Sequence, residues 1–188
     1  MKKTIILLVA LAMVFALAAC GGGSADTSSA SGAFDAGMTA LKKLDGAGME
    51  KYIVGFDADD VSSLLGDLTE LGLSEEEAKD LFVTMLNKLS WKVLAEEMDS
   101  DGKSATLEIE VTMPDMEAMA THANAQLMTW IAENPTASKE DIIKEVISAF
   151  KAAAGESGTK SETGEAKMVK EDSGWMIKDM DVDLQMGF

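Results

Sequence analysis

Arginine is absent from this 188-residue chain, although acidic residues are plentiful. There are 33 aspartates and glutamates against 16 lysines, which gives a formal net charge of −17. Without guanidinium groups the chain lacks planar donors for bidentate phosphate binding, and its negative charge repels phosphate backbones. We therefore expect no nucleic-acid partner. An anionic lipid surface would repel the chain as well, so any membrane attachment needs an apolar anchor.

Cysteine, histidine and tyrosine each occur once, as Cys20, His122 and Tyr52. One cysteine cannot form a disulfide within the chain. A zinc site with two histidines is excluded, and any Ser-His-Asp or Cys-His arrangement would have to use His122. Nothing in the spacing places Tyr52 near His122. We therefore predict that the protein is not an enzyme and needs no cofactor.

The first 20 residues have the features of an export signal. Two lysines precede an apolar run over residues 5–17, which is short for a membrane span. The sequence Leu17-Ala18-Ala19-Cys20 resembles the lipobox of bacterial lipoproteins. The resemblance implies that residues 1–19 are a signal peptide and that Cys20 carries a diacylglycerol, with acyl chains such as palmitate. The alternative is an ordinary signal peptide that contains a cysteine.

Residues 20–32 are rich in glycine, serine and alanine and contain nothing large to bury. This composition predicts a flexible tether behind the lipidated Cys20. Residues 33–188 are enough for one core, so we expect a single domain. Its expected location is the outer side of the cell membrane, or the cell surface in a Gram-positive host.

Apolar residues at helical spacing predict helices through the first half of the domain. Asp45-Gly46 separates the first two helices, Gly72 ends the third, and Ser74 with Glu77 forms a capping box for the fourth. The inward-facing residues are expected to be Phe34, Met38, Leu41 and Leu44; Met49, Tyr52 and Ile53; Val61, Leu64, Leu65, Leu68 and Leu71; and Ala78, Leu81, Phe82, Met85, Leu86 and Leu89.

After Ser90 the apolar period changes to that of strands. The first predicted hairpin has its turn at residues 99–102, and its second strand alternates cleanly from Ala105 to Met113. A second hairpin follows a polar loop over residues 156–164. In its last strand the apolar parity switches between Ile177 and Met180, which predicts a β-bulge.

Two more helices are predicted between the hairpins. The first begins after Pro114-Asp115 and ends at Asn134-Pro135, and the second runs from Ser138 to Gly155. Each helix has an apolar side that is expected to face inward. The residues on these sides are Met116, Met119, Ala120, Ala123, Leu127, Trp130 and Ile131 in the first helix, and Ile142, Ile143, Val146, Ile147 and Phe150 in the second. The predicted fold class is therefore α+β, with N-terminal helices packed on a bent antiparallel sheet of about four strands and a helix pair inserted between two hairpins.

The lipobox, the tether, the N-terminal helices and the terminal Gly174-Trp175-Met176-Ile177 together resemble a known family. These are bacterial surface lipoproteins with a nuclear-transport-factor-2-like (cystatin-like) domain. The resemblance implies a sheet bent around a long helix into a cone whose mouth is often a ligand pocket. It favours a binding or interaction module without catalytic activity, and the alternative is an isomerase- or dehydratase-like enzyme that uses the cone.

A cone of this kind would allow all three tryptophans and several methionines to approach one cavity. Such side chains suit an adaptable apolar site, so the expected partner is a small apolar ligand or a protein. The candidate pocket residues are Trp91, Met113, Met128, Trp130, Trp175 and Met176. The alternative is that the tryptophans fill the core.

Three patterns resemble metal sites, but we assign no metal to them. Residues 97–108 have the acid spacing of a calcium-binding EF-hand, yet a strand pattern follows where a helix is required. A second pattern has soft and imidazole ligands that suit Cu(I), at Met113, Met116, Met119 and His122. Because each step of three residues on a helix rotates the side chain by about −60°, Met113 and His122 would point in opposite directions if both were helical. Acidic strand faces, with Asp179, Asp181 and Asp183 on one and Glu108 and Glu110 on another, leave weak divalent-cation binding as an alternative function.

Overall fold

Six helices and four strands make up the part of the chain that the computed structural model describes, residues 26–70 and 73–182. In chain order they are α1 (Ala30–Lys43), α2 (Gly46–Tyr52), α3 (Ala58–Glu70), α4 (Glu75–Leu86), β1 (Ser90–Met98), β2 (Ser104–Pro114), α5 (Met116–Glu133), α6 (Lys139–Glu156), β3 (Thr159–Glu171) and β4 (Gly174–Val182). The predicted signal peptide, Cys20, Leu71, Gly72 and Asp183 lie outside the described residues.

The predicted α+β class is confirmed. The four strands form one antiparallel sheet in the order β1-β2-β3-β4, so every strand pairs with its neighbours in the sequence. Helices α1 to α4 precede the sheet, and α5 and α6 are inserted between β2 and β3. Consecutive antiparallel strands can be joined by short turns, as at residues 99–102 between β1 and β2 and around Asp172 between β3 and β4. The connection between β2 and β3 contains the two inserted helices.

Helix α1 covers the buried face of the sheet. Phe34 and Met38 pack in one cluster with residues that alternate along the strands, including Leu107, Ile109 and Met168. Gly37 lets the helix approach β4 closely, because a Cβ at that position would lie 2.8 Å from Cδ1 of Ile177. The sheet is therefore packed around an N-terminal helix.

The two edge strands carry irregularities that the central pair lacks. Ala166 pairs with Met180 and Met168 with Ile177, so an extra residue bulges from β4 between Ile177 and Met180, as the parity switch predicts. A second bulge lies in β1 between Val93 and Ala95. The sequence does not predict it, since Trp91, Val93 and Ala95 alternate with Lys92 and Glu96 as they would in a regular strand.

Side chains cap most of the helices where the sequence predicts their starts. Ser74 and Ser138 form reciprocal capping boxes with Glu77 and Asp141. The Asp45 and Asp115 carboxylates accept N–H groups at the starts of α2 and α5. These caps supply acceptors for backbone donors that have no partner inside the helix.

Two boundaries differ from the sequence prediction. Helix α1 begins at Ala30, inside the predicted tether, and Ala30 is fully buried because it packs in the core cluster between α1 and the sheet. Strand β3 begins at Thr159, inside the predicted polar loop, because residues 159–164 pair along β2 through their backbones. Backbone pairing of this kind leaves no apolar period in the sequence.

Within residues 26–70 and 73–182, no helix has both the length and the apolar character needed to cross a bilayer.

Candidate functional site

Helices α5 and α6 form a helical hairpin that leaves and rejoins the sheet at one place. Pro114 at the end of β2 pairs with Thr159 at the start of β3. Beside this pair the backbone N–H of Asp115 donates to the carbonyl of Gly158 at 3.0 Å. The base of the hairpin is thus fixed to the two central strands.

A small cluster near the base holds the two helices together. Half-buried Met85 and Met116 pack against it. Its buried members are mostly alanines, and they are Met119, Ala123, Ala149, Ala153 and Ala154. Helix α4 supports α6 through an ion pair between Lys151 and Asp80. Lys88, just beyond α4, donates to the carbonyl of Gly155 at 3.0 Å and so satisfies the end of α6.

An apolar furrow runs between α5 and α6 and is open to solvent. It has a volume of about 220 Å³. Two of its alanines, Ala123 and Ala149, are buried. The full lining is Ala120, Ala123, Asn124, Leu127, Val146, Ala149 and Phe150. We call this feature the hairpin furrow.

Large apolar side chains of the hairpin are exposed. The exposed fractions are 36% for Phe150, 37% for Ile131 and 61% for Met128. Ile131 lies four residues beyond Leu127 and so continues the same helix face. Between Glu117 and Glu133, α5 contains no charged residue. The chain has a net charge of −17, so this uncharged stretch of exposed helix differs chemically from the acidic surface elsewhere.

The hairpin has a second, polar groove at its tip. It has a volume of about 690 Å³ and includes Trp130, Asn134, Pro135 and Asp141 in its lining. Many of its polar groups already have partners. The Asp141 carboxylate accepts from Ser138, and the Asn134 amide donates to the Trp130 carbonyl at 2.9 Å. The tip groove therefore has fewer free polar groups than its lining suggests.

Charged groups at the two helix starts are stabilised in their ionised forms. Hydrogen bonding from Ser138 lowers the pKa of Asp141 below its usual value. The backbone N–H of Ala118, followed by Lys160, lowers the pKa of Asp115. Lys160 lies 3.3 Å from Asp115 Oδ1 and 3.5 Å from Glu117 Oε2. Charged groups thus mark the ends of the hairpin, and α6 also carries Lys144, Glu145 and Lys151 along its length, whereas α5 is uncharged between Glu117 and Glu133.

The six candidate pocket residues are divided between separate places. Trp175 is only 4% exposed in the core beneath α1, and half-buried Trp91 and Met113 pack at the edge of that core. Met176 alternates with Trp175 and so faces the other side of the sheet. Met128 and Trp130 lie on α5. The structure therefore does not bring the six residues to one cavity.

The residues considered for metals or catalysis are also dispersed. In the EF-hand-like segment, the Asp101 carboxylate accepts the backbone N–H groups of Lys103 and Ser104, and strand β2 follows. His122 is exposed on α5, whereas Tyr52 packs at the core beneath α1. Among the described residues, no three histidine, cysteine or acidic side chains are arranged to hold a metal ion.

Acidic residues do form a row across the exposed face of the sheet. Glu165 is the register partner of Glu108 on one side and of Asp181 on the other. Like charges directly opposite one another destabilise a sheet. The row therefore costs stability, and its ionisable groups are not buried.

Sequence reasoning missed the hairpin furrow. It assigned Leu127, Ile131, Val146 and Phe150 to the inward faces of their helices, and helical spacing does place them on one face. What the spacing does not show is whether another element covers that face. The lack of charge between Glu117 and Glu133 sets α5 apart in the sequence, and the structure shows that its apolar face is open.

No family model matches the chain, and no curated protein matches it. Two solved structures show a distant likeness. The crystal structure of ycdA, a candidate lipoprotein from Bacillus subtilis, is 18% identical with a TM-score of 0.49, over 86% of this chain and 53% of that chain. The intermembrane space region of the chloroplast protein ARC6 is 14% identical with a TM-score of 0.36, over 86% and 98%. At these values neither assigns a family or a function, and the expected nuclear-transport-factor-2-like fold is not confirmed.

Proposed function

We propose that this protein is a lipid-anchored, extracytoplasmic binding module without catalytic activity and that it binds its partner at the hairpin furrow. The observation that carries the proposal is the open apolar furrow beside an uncharged helix. Soluble proteins rarely leave such a surface uncovered unless it is used for contact. The rest of the chain is densely acidic, so this face is chemically different from its surroundings.

The anchoring part of the proposal is supported by the lipobox-like sequence that ends at Cys20. An acidic chain has no electrostatic attraction to anionic lipid, so acyl chains would have to supply the membrane affinity. Replacing Cys20 with Ala in the full chain and fractionating the host cells tests this. We expect the variant to leave the membrane fraction, and a variant that remains there would contradict the anchoring.

The noncatalytic part is supported by the positions of the two residues that an isomerase-like site would use. His122 is exposed on α5 and Tyr52 lies on α2, at the core beneath α1. The buried face of the sheet, where a cone cavity would lie, is occupied by Phe34 and Met38 of α1. Catalysis would require a base and an acid within reach of one substrate, whereas an apolar binding surface does not require groups of this kind.

The binding part can be tested in cells with a photo-crosslinking amino acid at position 124. Asn124 lines the hairpin furrow, so a residue introduced there would contact any bound partner. A matched control places the same amino acid at Met98, which is 47% exposed at the end of β1. We expect a specific adduct from position 124 and none from position 98. Equal labelling at both positions, or none at 124, would count against the furrow as a binding site.

A further inference from the structure

We infer that the hairpin furrow is occupied by the same furrow of a second copy, so that two helical hairpins pack face to face as a four-helix bundle. This inference rests on the proposed binding role of the furrow and names its partner. Antiparallel helix pairs with one apolar face commonly associate in this way.

The shape of the furrow is self-complementary. Its lining includes the buried small residues Ala123 and Ala149, which we call its floor, and the ring of Phe150 beside Ala149 in the sequence is 36% exposed. A two-fold axis places the aromatic ring of each copy over the alanine floor of the other. Knob and hole lie on the same face of one chain, as an isologous interface requires.

The charge distribution also favours a second copy at this face. Each chain has a formal net charge of −17, so most approaches would bring carboxylates together. Helix α5 is uncharged between Glu117 and Glu133, and α6 carries both signs in nearly equal number, so two hairpins meet with far less repulsion than two acidic faces. A basic partner, by contrast, would be drawn to the acidic faces and away from this uncharged one.

The area of the surface is small for a stable dimer. Each helix has 18 residues, and this length corresponds to about 27 Å, with a width of about 10 Å per helix. Two helices side by side therefore present roughly 540 Å² in projection, which is below the ~800 Å² that each partner buries in a standard interface. We expect a weak, reversible dimer. Anchoring both copies in one membrane would raise their effective concentration and favour pairing.

The test uses two differently tagged copies of the full chain, expressed together in the membrane of the host. One copy has the photo-crosslinking amino acid at position 124, and adducts are captured through one tag and probed for the other. We expect an adduct that contains both tags. Phe150→Glu in both copies should lower its yield at least about tenfold, because burying a carboxylate in this contact costs more than the 1.4 kcal/mol that a tenfold change represents.

Two further variants guard against misfolding. Ile131→Glu lies on the same face and should also remove the adduct, while Met98→Glu adds the same charge at a similarly exposed position and should leave it unchanged. An adduct that persists in both furrow variants would overturn the inference. An adduct from position 124 only to a different protein or to lipid would also overturn it, but would leave the furrow as a binding site. No adduct at all would contradict both the inference and the proposed function.

Discussion

The indole Nε1 of Trp91 donates a hydrogen bond to Oδ1 of Asp35 at 2.8 Å, which joins the start of β1 to α1 across 56 residues of sequence. The bond orients the helix over the sheet near its edge. Because Asp35 is exposed, water competes for its carboxylate, and the net contribution of the bond is modest.

The first prediction is that Trp91→Phe and Asp35→Ala are energetically coupled. Each change removes one partner, and Phe retains an aromatic ring at the edge of the core. We expect a coupling energy of about 0.5–1 kcal/mol from a double-mutant cycle of chemical denaturation. Strictly additive effects would show that the hydrogen bond contributes nothing to the stability of the folded state.

Trp175 and Trp130 are predicted to differ sharply in their contribution to stability. Trp175 is 4% exposed in the core beneath α1, so Trp175→Ala should cost about 3–5 kcal/mol of unfolding free energy. Trp130 is half-buried at the tip of the hairpin, and Trp130→Ala should cost about 1 kcal/mol or less. Thermal melts of the two variants measure the difference. Similar losses would contradict the placement of Trp175 in the core.

A further prediction compares two glycines. At Gly164 an added Cβ would lie 2.3 Å from the carbonyl oxygen of Asp181, which the backbone of β4 holds in place. Gly164→Ala should therefore destabilise the protein by about 1–3 kcal/mol. Gly66 lies within α3 with nothing within 4 Å of the added atom, so Gly66→Ala should stabilise by about 0.5–1 kcal/mol. Denaturant midpoints that move in the same direction for both would refute this reasoning.

The acidic row on the sheet makes Glu165 the most informative position for a charge reversal. Glu165 lies opposite both Glu108 and Asp181, so Glu165→Lys replaces two repulsions with two attractions. We expect a gain of about 0.5–1 kcal/mol in unfolding free energy, largest at low salt. Melts at low and high ionic strength provide the measurement. A loss of stability at both would indicate that Glu165 has another role.

The dependence of stability on pH should change in Asp115→Asn. The pKa of Asp115 is lowered in the folded state by the Ala118 N–H and by Lys160, so the ionised form stabilises the fold. This contribution is complete above the unfolded pKa of about 3.9 and is lost as the pH falls through the lower folded pKa. Asparagine still caps the helix but does not titrate in this range.

We therefore expect the wild type to be more stable than Asp115→Asn at pH 7, with the difference shrinking toward pH 2. Relief of overall repulsion on acidification affects both proteins and largely cancels in the comparison. Lys160→Met removes only one of the groups that lower the pKa of Asp115. In that background, Asp115→Asn should therefore cost less stability than in the wild type, but it should still cost some. Thermal melts across this pH range measure it, and a constant difference would contradict the assignment.

Most of the local structure follows from the sequence, because it depends on neighbouring residues. The capping box at Ser74, the turn before Ser104 and the bulge between Ile177 and Met180 each have a local signal. The polar start of β3 has none, since its pairing is a backbone property decided by β2. Secondary structure that depends on a distant partner is therefore less visible in the chain.

The candidate site was predicted less well than the fold. The sequence indicates apolar helix faces at Leu127 and Phe150, but coverage of those faces depends on how the helices are arranged in space. It also grouped Trp91, Trp130 and Trp175 by residue type, and the structure separates Trp130 from the other two. Shared chemistry indicates which side chains could form a site, whereas topology decides whether they meet.

The pairing of Pro114 with Thr159 has an evolutionary consequence. Since the strands already meet there, residues 115–158 are an insert, and a two-residue turn could close the sheet in their place. The surface proposed for recognition is then carried by an insert that adds no strand to the sheet. Substitutions on the solvent-facing sides of α5 and α6 leave the register of the strands undisturbed, so a lineage could change the proposed binding surface while it retains the sheet.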